Sequence, residues 1–132
     1  MSLERFVMDK ETFMKTTDAP CFSLIEIGIN GNAYLRNDAI KIVSFARQNV
    51  IPILGGDVYC KSKSGNKIRM TYDNWYCNRE QNESLRDYVM RSCDVAEKFI
   101  INYKCKEEGD PIFDVSIASE WLNSKFTGTQ MV

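Results

Sequence analysis

The apolar positions of this chain change period several times, and each change marks a predicted element. Leu3, Phe6, Val7, Phe13 and Met14 predict a short opening helix over Leu3 to Thr16, ended by Asp18-Ala19-Pro20. Phe22, Leu24, Ile25, Ile27 and Ile29 predict a strand or buried extended segment, after which Gly28 and Asn30-Gly31-Asn32 force a turn. Ala39, Ile42, Val43 and Ala46 line one face of a helix over 38–48. Asn37 is its expected N-cap, and Asp38 complements the dipole in the first turn. Val50 to Leu54 is β-branched and carries Pro52, which predicts an edge strand or strand entrance.

After Gly55-Gly56 the period becomes two. Val58 and Cys60 share one side, with Asp57, Tyr59 and Lys61 on the other; Ile68, Met70 and Tyr72 stand opposite Lys67, Arg69, Thr71 and Asp73. The polar turn Ser62-Lys63-Ser64-Gly65-Asn66 joins the two runs into a hairpin. Pairing Lys61 with Lys67 sets Cys60 against Ile68 and Val58 against Met70 on a core face. Tyr59 then faces Arg69 and Asp57 faces Thr71 on an open face, with Asp73 beyond. The like charges at the mouth count against this register.

The strongest element is a helix over 84–103. Leu85, Tyr88, Val89, Ser92, Ala96, Phe99, Ile100 and Tyr103 keep helical spacing for about five turns. Ser84 with Asp87 forms a capping-box pattern, and the Asp87/Arg91 and Asp94/Lys98 pairs are favourably ordered on the wet face. A charged loop with Gly109 leads to Pro111 and a strand over Ile112 to Ala118. Glu120 to Phe126 then predicts one more helical turn. With no repeat or linker, the pattern predicts a single α+β domain over 1–132: a small, mostly antiparallel sheet packed against the long helix (84–103) and the shorter one (38–48).

Composition narrows the chemistry. A net charge of −1 argues against a nucleic-acid module, and the one basic cluster, Lys61, Lys63, Lys67 and Arg69, reads as solvated charge guarding a hairpin. The absence of histidine removes Ser-His-Asp and Cys-His catalysis and the commonest zinc ligand. The five cysteines form no CxxC pair and no signal-peptide h-region precedes them, so reduced thiols in a cytoplasm are expected. Cys60 and Cys77 then read as small buried hydrophobes. No apolar run reaches the roughly 18 residues of a membrane span. No metal or other cofactor is called for.

Two acids and a cluster of aromatics remain as candidates. Asp57 follows two glycines, so it either caps a bend or reaches a ligand that approaches the backbone closely. In the expected register Asp57 and Asp73 share a face, and such a pair can serve as general acid and base or hold a divalent ion in a small enzyme or ligand-binding domain. Trp75 and Tyr76 lie in a polar stretch: Trp75 is either an anchor in its own core or a hot spot for a partner. Gly55-Gly56 is no phosphate loop, lacking both GxGxxG and GK[ST].

The string Leu54-Gly55-Gly56-Asp57-Val58-Tyr59, followed by Tyr72-Asp73-Asn74-Trp75-Tyr76-Cys77 and the long helix with Tyr88, resembles the bacterial polymorphic-toxin immunity proteins of family 40. The similarity covers roughly Phe22 to Val115; the first twenty residues and the tail after Ser119 match no such pattern. The resemblance implies a small cytoplasmic α+β protein without catalysis, which binds and blocks a cognate toxin domain delivered by neighbouring cells. It places the family motif, and with it the partner-binding residues, on Asp57, Tyr59, Asp73, Asn74, Trp75 and Tyr76.

Overall fold

A computed structural model describes residues 20–64 and 67–117. The helices expected over Leu3 to Thr16 and Glu120 to Phe126, the turn residues Gly65 and Asn66, and Ala118 lie outside the described residues. Strands β1 (Phe22–Ser23), β2 (Asn32–Leu35), β3 (Gly55–Lys61), β4 (Ile68–Tyr76) and β5 (Asp110–Ser116) form one antiparallel sheet in the order β1-β2-β5-β3-β4. Helices α1 (Arg36–Gln48) and α2 (Leu85–Asn102) pack on one face of it, giving the predicted α+β architecture.

The long helix forms where its stripe predicted. Ser84 caps it, its hydroxyl accepting the Asp87 N–H at 3.0 Å. Its far end is closed by another element: the Arg36 guanidinium donates to the carbonyls of Ile100 at 2.6 Å and Tyr103 at 2.8 Å, placing a cation at the negative end of the dipole. That contact also helps explain why α1 begins at Arg36, with Leu35 as its N-cap, rather than after Asn37. Near the other end of α1, Arg47 meets Asp94 at 2.7 Å and Glu97 at 2.6 Å, so two arginines tie the helices together.

Other elements differ from the expectation. The run Phe22 to Ile29 pairs for two residues only, then tightens into a 3-10 turn at Ile25–Ile27 closed by Gly28 at φ +81°. Val50 to Leu54 stays irregular, yet Ile51 and Ile53 are buried and the Leu54 N–H reaches the Ser116 carbonyl at 2.8 Å. Pro111 falls inside β5 opposite Cys60, at a point past the last β2 pair, Leu35 with Ile112. There the missing N–H costs no ladder bond to β2.

The hairpin register is the main correction. Lys61 pairs with Ile68, Cys60 with Arg69 and Tyr59 with Met70, one residue away from the expected pairing. Beyond a bulge, Asp57 pairs with Asn74, Gly56 with Trp75 and Gly55 with Tyr76. The slip sends Ile68, Met70 and Tyr72 to the face away from the helices, and Arg69, Thr71, Asp73 and Trp75 toward them. Its physical reason lies in β3, where Val58, Tyr59 and Cys60 are all buried. Val58 joins the main core with Phe113, Val115, Ile42, Val89 and Ile100. Tyr59 joins a second cluster with Leu24, Ala33, Ile68 and Ile112 on the opposite face. A strand buried on both sides gives no wet face from which alternation can fix a register.

The expectation of free thiols is corrected as well. Cys60 and Cys105 form a disulfide that ties the central strand to the loop after α2, while Cys21, Cys77 and Cys93 remain free. The two partners are 45 residues apart in sequence, a spacing that carries no pairing signal.

The loop after β4 is held by a fork. Arg91 Nε and Nη2 each donate to a Glu83 carboxylate oxygen at 2.7 Å, and Glu83 also accepts the Glu80 N–H at 2.9 Å. The Arg91 hydrogen bond, with help from the Glu80 N–H, holds the Glu83 carboxyl at about 2, below its ordinary 4.5. A carboxyl lowered in the folded state stabilises above its unfolded value and loses that contribution as pH falls from about 4.5 toward 2. Acid unfolding followed by circular dichroism should therefore be less steep in that window for Glu83→Gln than for the parent chain.

Candidate functional site

The bulge in β4 shapes the surface. Between the pairs Asp57 with Asn74 and Tyr59 with Met70, β4 carries two more residues than β3. The Thr71 hydroxyl fills the gap, donating to the Val58 carbonyl at 2.7 Å and accepting the Asp73 N–H at 3.0 Å. Tyr72, at the crest, takes φ +64° and is 81% exposed. A bulky residue held in the left-handed region and turned to solvent combines backbone strain with display, a combination that points to a surface under functional constraint.

The six residues expected to bind a partner separate into three groups. Asp57, Asn74 and Tyr76 lie exposed on the face away from the helices, where Asn74 stands opposite Asp57 and Tyr76 opposite Gly55. Asp73 lies on the helix face; its Oδ2 accepts the Tyr103 hydroxyl at 2.7 Å and has Lys106 at 3.8 Å. Tyr59 and Trp75 are inside, at 5% and 7% exposure. The Trp75 ring stacks on Phe99 with centroids 4.8 Å apart and covers Gly56, whose missing side chain leaves room for it. Tyr59 lies near Asp57 and Asp114, and burial first, then these two carboxylates, raise its hydroxyl pKa.

The acid pair expected for chemistry is not assembled. Asp57 and Asp73 lie on opposite faces of the sheet, so neither general acid–base work nor a shared ion can use them together. Among the described residues no group of three or more Cys, Asp or Glu side chains is arranged to hold a metal ion. Cys77 is buried; burial raises its thiol pKa although Arg91 Nη1 lies 3.2 Å from the sulfur, so it is not an activated nucleophile.

Two surface residues escaped the sequence reading. Met70 and Tyr72 were expected on the core face, but with Asn74 and Tyr76 they form one alternating row along the sheet-edge strand β4, pointing away from the helices. A bulge leaves no period in the sequence. The only signal available was Thr71, whose hydroxyl can replace a ladder hydrogen bond.

No helix among the described residues is long and apolar enough to cross a membrane. Neither the curated proteins nor the solved structures compared with this chain include a match. The family described as Immunity protein 40 has a model that matches residues 23–117, spanning nearly all the described sheet and both helices, and the chain belongs to that family.

Proposed function

We propose that this chain is a non-enzymatic immunity protein that binds one cognate toxin domain and neutralises it in the cytoplasm of the producing cell. Family membership supports the class, and one surface observation carries the choice of binding face. Met70, Tyr72, Asn74 and Tyr76 stand in a row on one side of an edge strand, with Tyr72 and Tyr76 81% and 72% exposed. Two large, rigid aromatic side chains turned to water burden a lone domain. They suit a protein contact, where they give apolar area at low entropic cost. Asp57 adds charge beside the row.

In this reading Asp57, Asn74 and Tyr76 touch the toxin, together with Met70 and Tyr72. Trp75 supports the strand from beneath, Tyr59 packs on the row's own face opposite Met70, and Asp73 fastens the strand to α2 through Tyr103. The disulfide has a consequence in a reducing cytoplasm: Cys60 and Cys105 must resist the glutathione pool, or the protein must work with both thiols free.

Co-expression with the toxin domain encoded beside this chain tests the function. The expected result is survival of the host and a complex that co-purifies. Killing that continues at full strength despite soluble immunity protein would reject it.

A further inference from the structure

We propose that the Cys60–Cys105 disulfide is a reversible redox latch on the exposed row of β4, opened and closed by exchange with the glutathione couple. The proposal rests on the immunity reading above and adds a regulation of that same surface. The loop after α2 clamps β4 from the helix side at two points. Tyr103 donates its hydroxyl to Asp73 at 2.7 Å, and the Lys106 ammonium lies 3.8 Å from the same oxygen. Arg69 Nε lies 3.6 Å from a Glu107 carboxylate oxygen, and Arg69 Nη2 donates to the Glu108 carbonyl at 3.4 Å. Arg69 and Asp73 flank the crest residue Tyr72, so the clamp grips β4 on both sides of it.

Those contacts are weak without the bond. Both ion pairs are long, and Lys106 and Glu107 are exposed; pairs of that kind contribute little to holding a loop. The covalent link does not share that weakness. Cys105 lies between Tyr103 and Lys106, and Cys60 is the ladder partner of Arg69. The disulfide therefore pins the middle of the clamp to the strand pair that it grips. The core is built without this loop: neither apolar cluster includes a residue from 104–109. Opening the bond frees the clamp and the β4 crest before it threatens the fold.

The bond is within reach of a small thiol. Cys60 is buried, but Cys105 is half-buried, and a cavity of about 140 Å³ beside Cys60 is lined by Arg69, Thr71, Tyr103, Lys106 and Glu107. Exchange runs in two balanced steps. A glutathione thiolate attacks Cys105 Sγ, the S–S bond breaks, and Cys60 leaves as a thiolate that takes a proton from water. A second glutathione thiolate attacks the glutathione sulfur of the mixed disulfide. Cys105 then leaves as a thiolate, is protonated in turn, and oxidised glutathione departs. Two glutathione thiols are oxidised as two protein thiols form, and the reverse sequence closes the latch. The Arg69 and Lys106 cations favour the thiolates on which each step depends, with Glu107 the opposing carboxylate in the lining.

The experiment uses the full chain and the toxin domain encoded beside it. The chain is equilibrated in glutathione buffers of oxidising or reducing ratio, and Cys105→Ser and Cys21→Ser are treated alike. Peptide mapping by mass spectrometry, melting temperature, hydrogen exchange in β4 and toxin affinity are read on each preparation. Mapping should find Cys60 cross-linked to Cys105 in the oxidised chain and both as free thiols in the reduced one. Reduction should keep a cooperative melt at a lower temperature and speed exchange across Ile68–Tyr76 at least about tenfold. It should also weaken binding at least about fivefold, through faster dissociation. Cys105→Ser should match the reduced chain in both buffers, and Cys21→Ser should switch like the parent. A cross-link present in both buffers, or in neither, overturns the latch, as does a reduced chain that no longer folds. Equal affinity and equal β4 exchange in the two states overturn it while leaving the immunity reading intact. No complex and no protection in either state overturn the immunity reading, and β4 exchange in the free chain then decides the latch alone.

Discussion

Trp75→Ala should unfold this protein on the order of 10–20 °C below the parent chain, and should do so without the toxin present. Trp75 is 7% exposed, stacked on Phe99 at 4.8 Å and packed over Gly56, so its loss opens a cavity between β4 and α2 rather than baring a binding surface. Truncating a buried Trp typically costs about 3–5 kcal/mol, and each kcal/mol shifts the melting point by about 3–6 °C in a domain of this size. Trp75→Phe should cost much less. It keeps an aromatic ring on Phe99 and removes an indole N–H that has no hydrogen-bond partner among the described residues. Thermal melting and toxin affinity on one preparation separate a core role from an interface role for this residue. A normal melting point with a tenfold loss of affinity would put Trp75 in the interface and refute its placement as a core anchor.

What the sequence disclosed depended on where one physical signal stood alone. The α2 stripe was legible because Tyr88, Val89, Ser92, Ala96 and Ile100 face one core for the whole helix and Ser84 supplies a local cap. Alternation also sorted the hairpin residues correctly into two sets. Assigning those sets to faces required one face to be wet, and β3 offers none: Tyr59 is as buried as Val58, because the segment from Phe22 to Ile29 covers part of the second face. That cover is formed by residues distant in sequence, and no local period records it. The single register step that followed put Asp57 and Asp73 on one face in the reading and on opposite faces in the fold.

The candidate site was legible at the level of the segment and less so at the level of the side chain. The stretch from Gly55 to Tyr76 does hold the exposed row and the exposed Asp57. Its most exposed residue, Tyr72, was expected in the core because the set it shares with Ile68 and Met70 faces away from the helices; the bulge that displays it is a tertiary event, held by a hydrogen bond from Thr71 to the Val58 carbonyl of the neighbouring strand. The double glycine was read as a bend or a place of close ligand approach. In the fold both positions let β4 approach closely: a Cβ on Gly56 would meet the Trp75 indole, and one on Gly55, at φ +156°, would meet the Trp75 carbonyl oxygen and lie 2.9 Å from Tyr76 Cα.

Gly56→Ala is accordingly the second large effect, and it should depend on Trp75. A Cβ at Gly56 would lie within contact distance of Trp75 Cη2, 2.6 Å from Cζ3 and 2.7 Å from the Asp114 carbonyl oxygen, closer than carbon atoms approach either ring or backbone. Overpacking a well-filled core costs typically about 1–3 kcal/mol and sometimes more. The cost should reach the upper end here, because β3 is held between β4 and β5 and has no free direction in which to move. In urea unfolding, Gly56→Ala in the parent background should therefore lower stability by about 3 kcal/mol or more. With Trp75 already replaced by alanine, the ring clash is gone while the Asp114 carbonyl contact stays, so the same change should cost distinctly less. Residues in contact commonly couple by about 0.5–3 kcal/mol in such a cycle. Simple additivity of the two substitutions would mean that the indole does not lie over Gly56, and would break the link between the double glycine and the placement of β4.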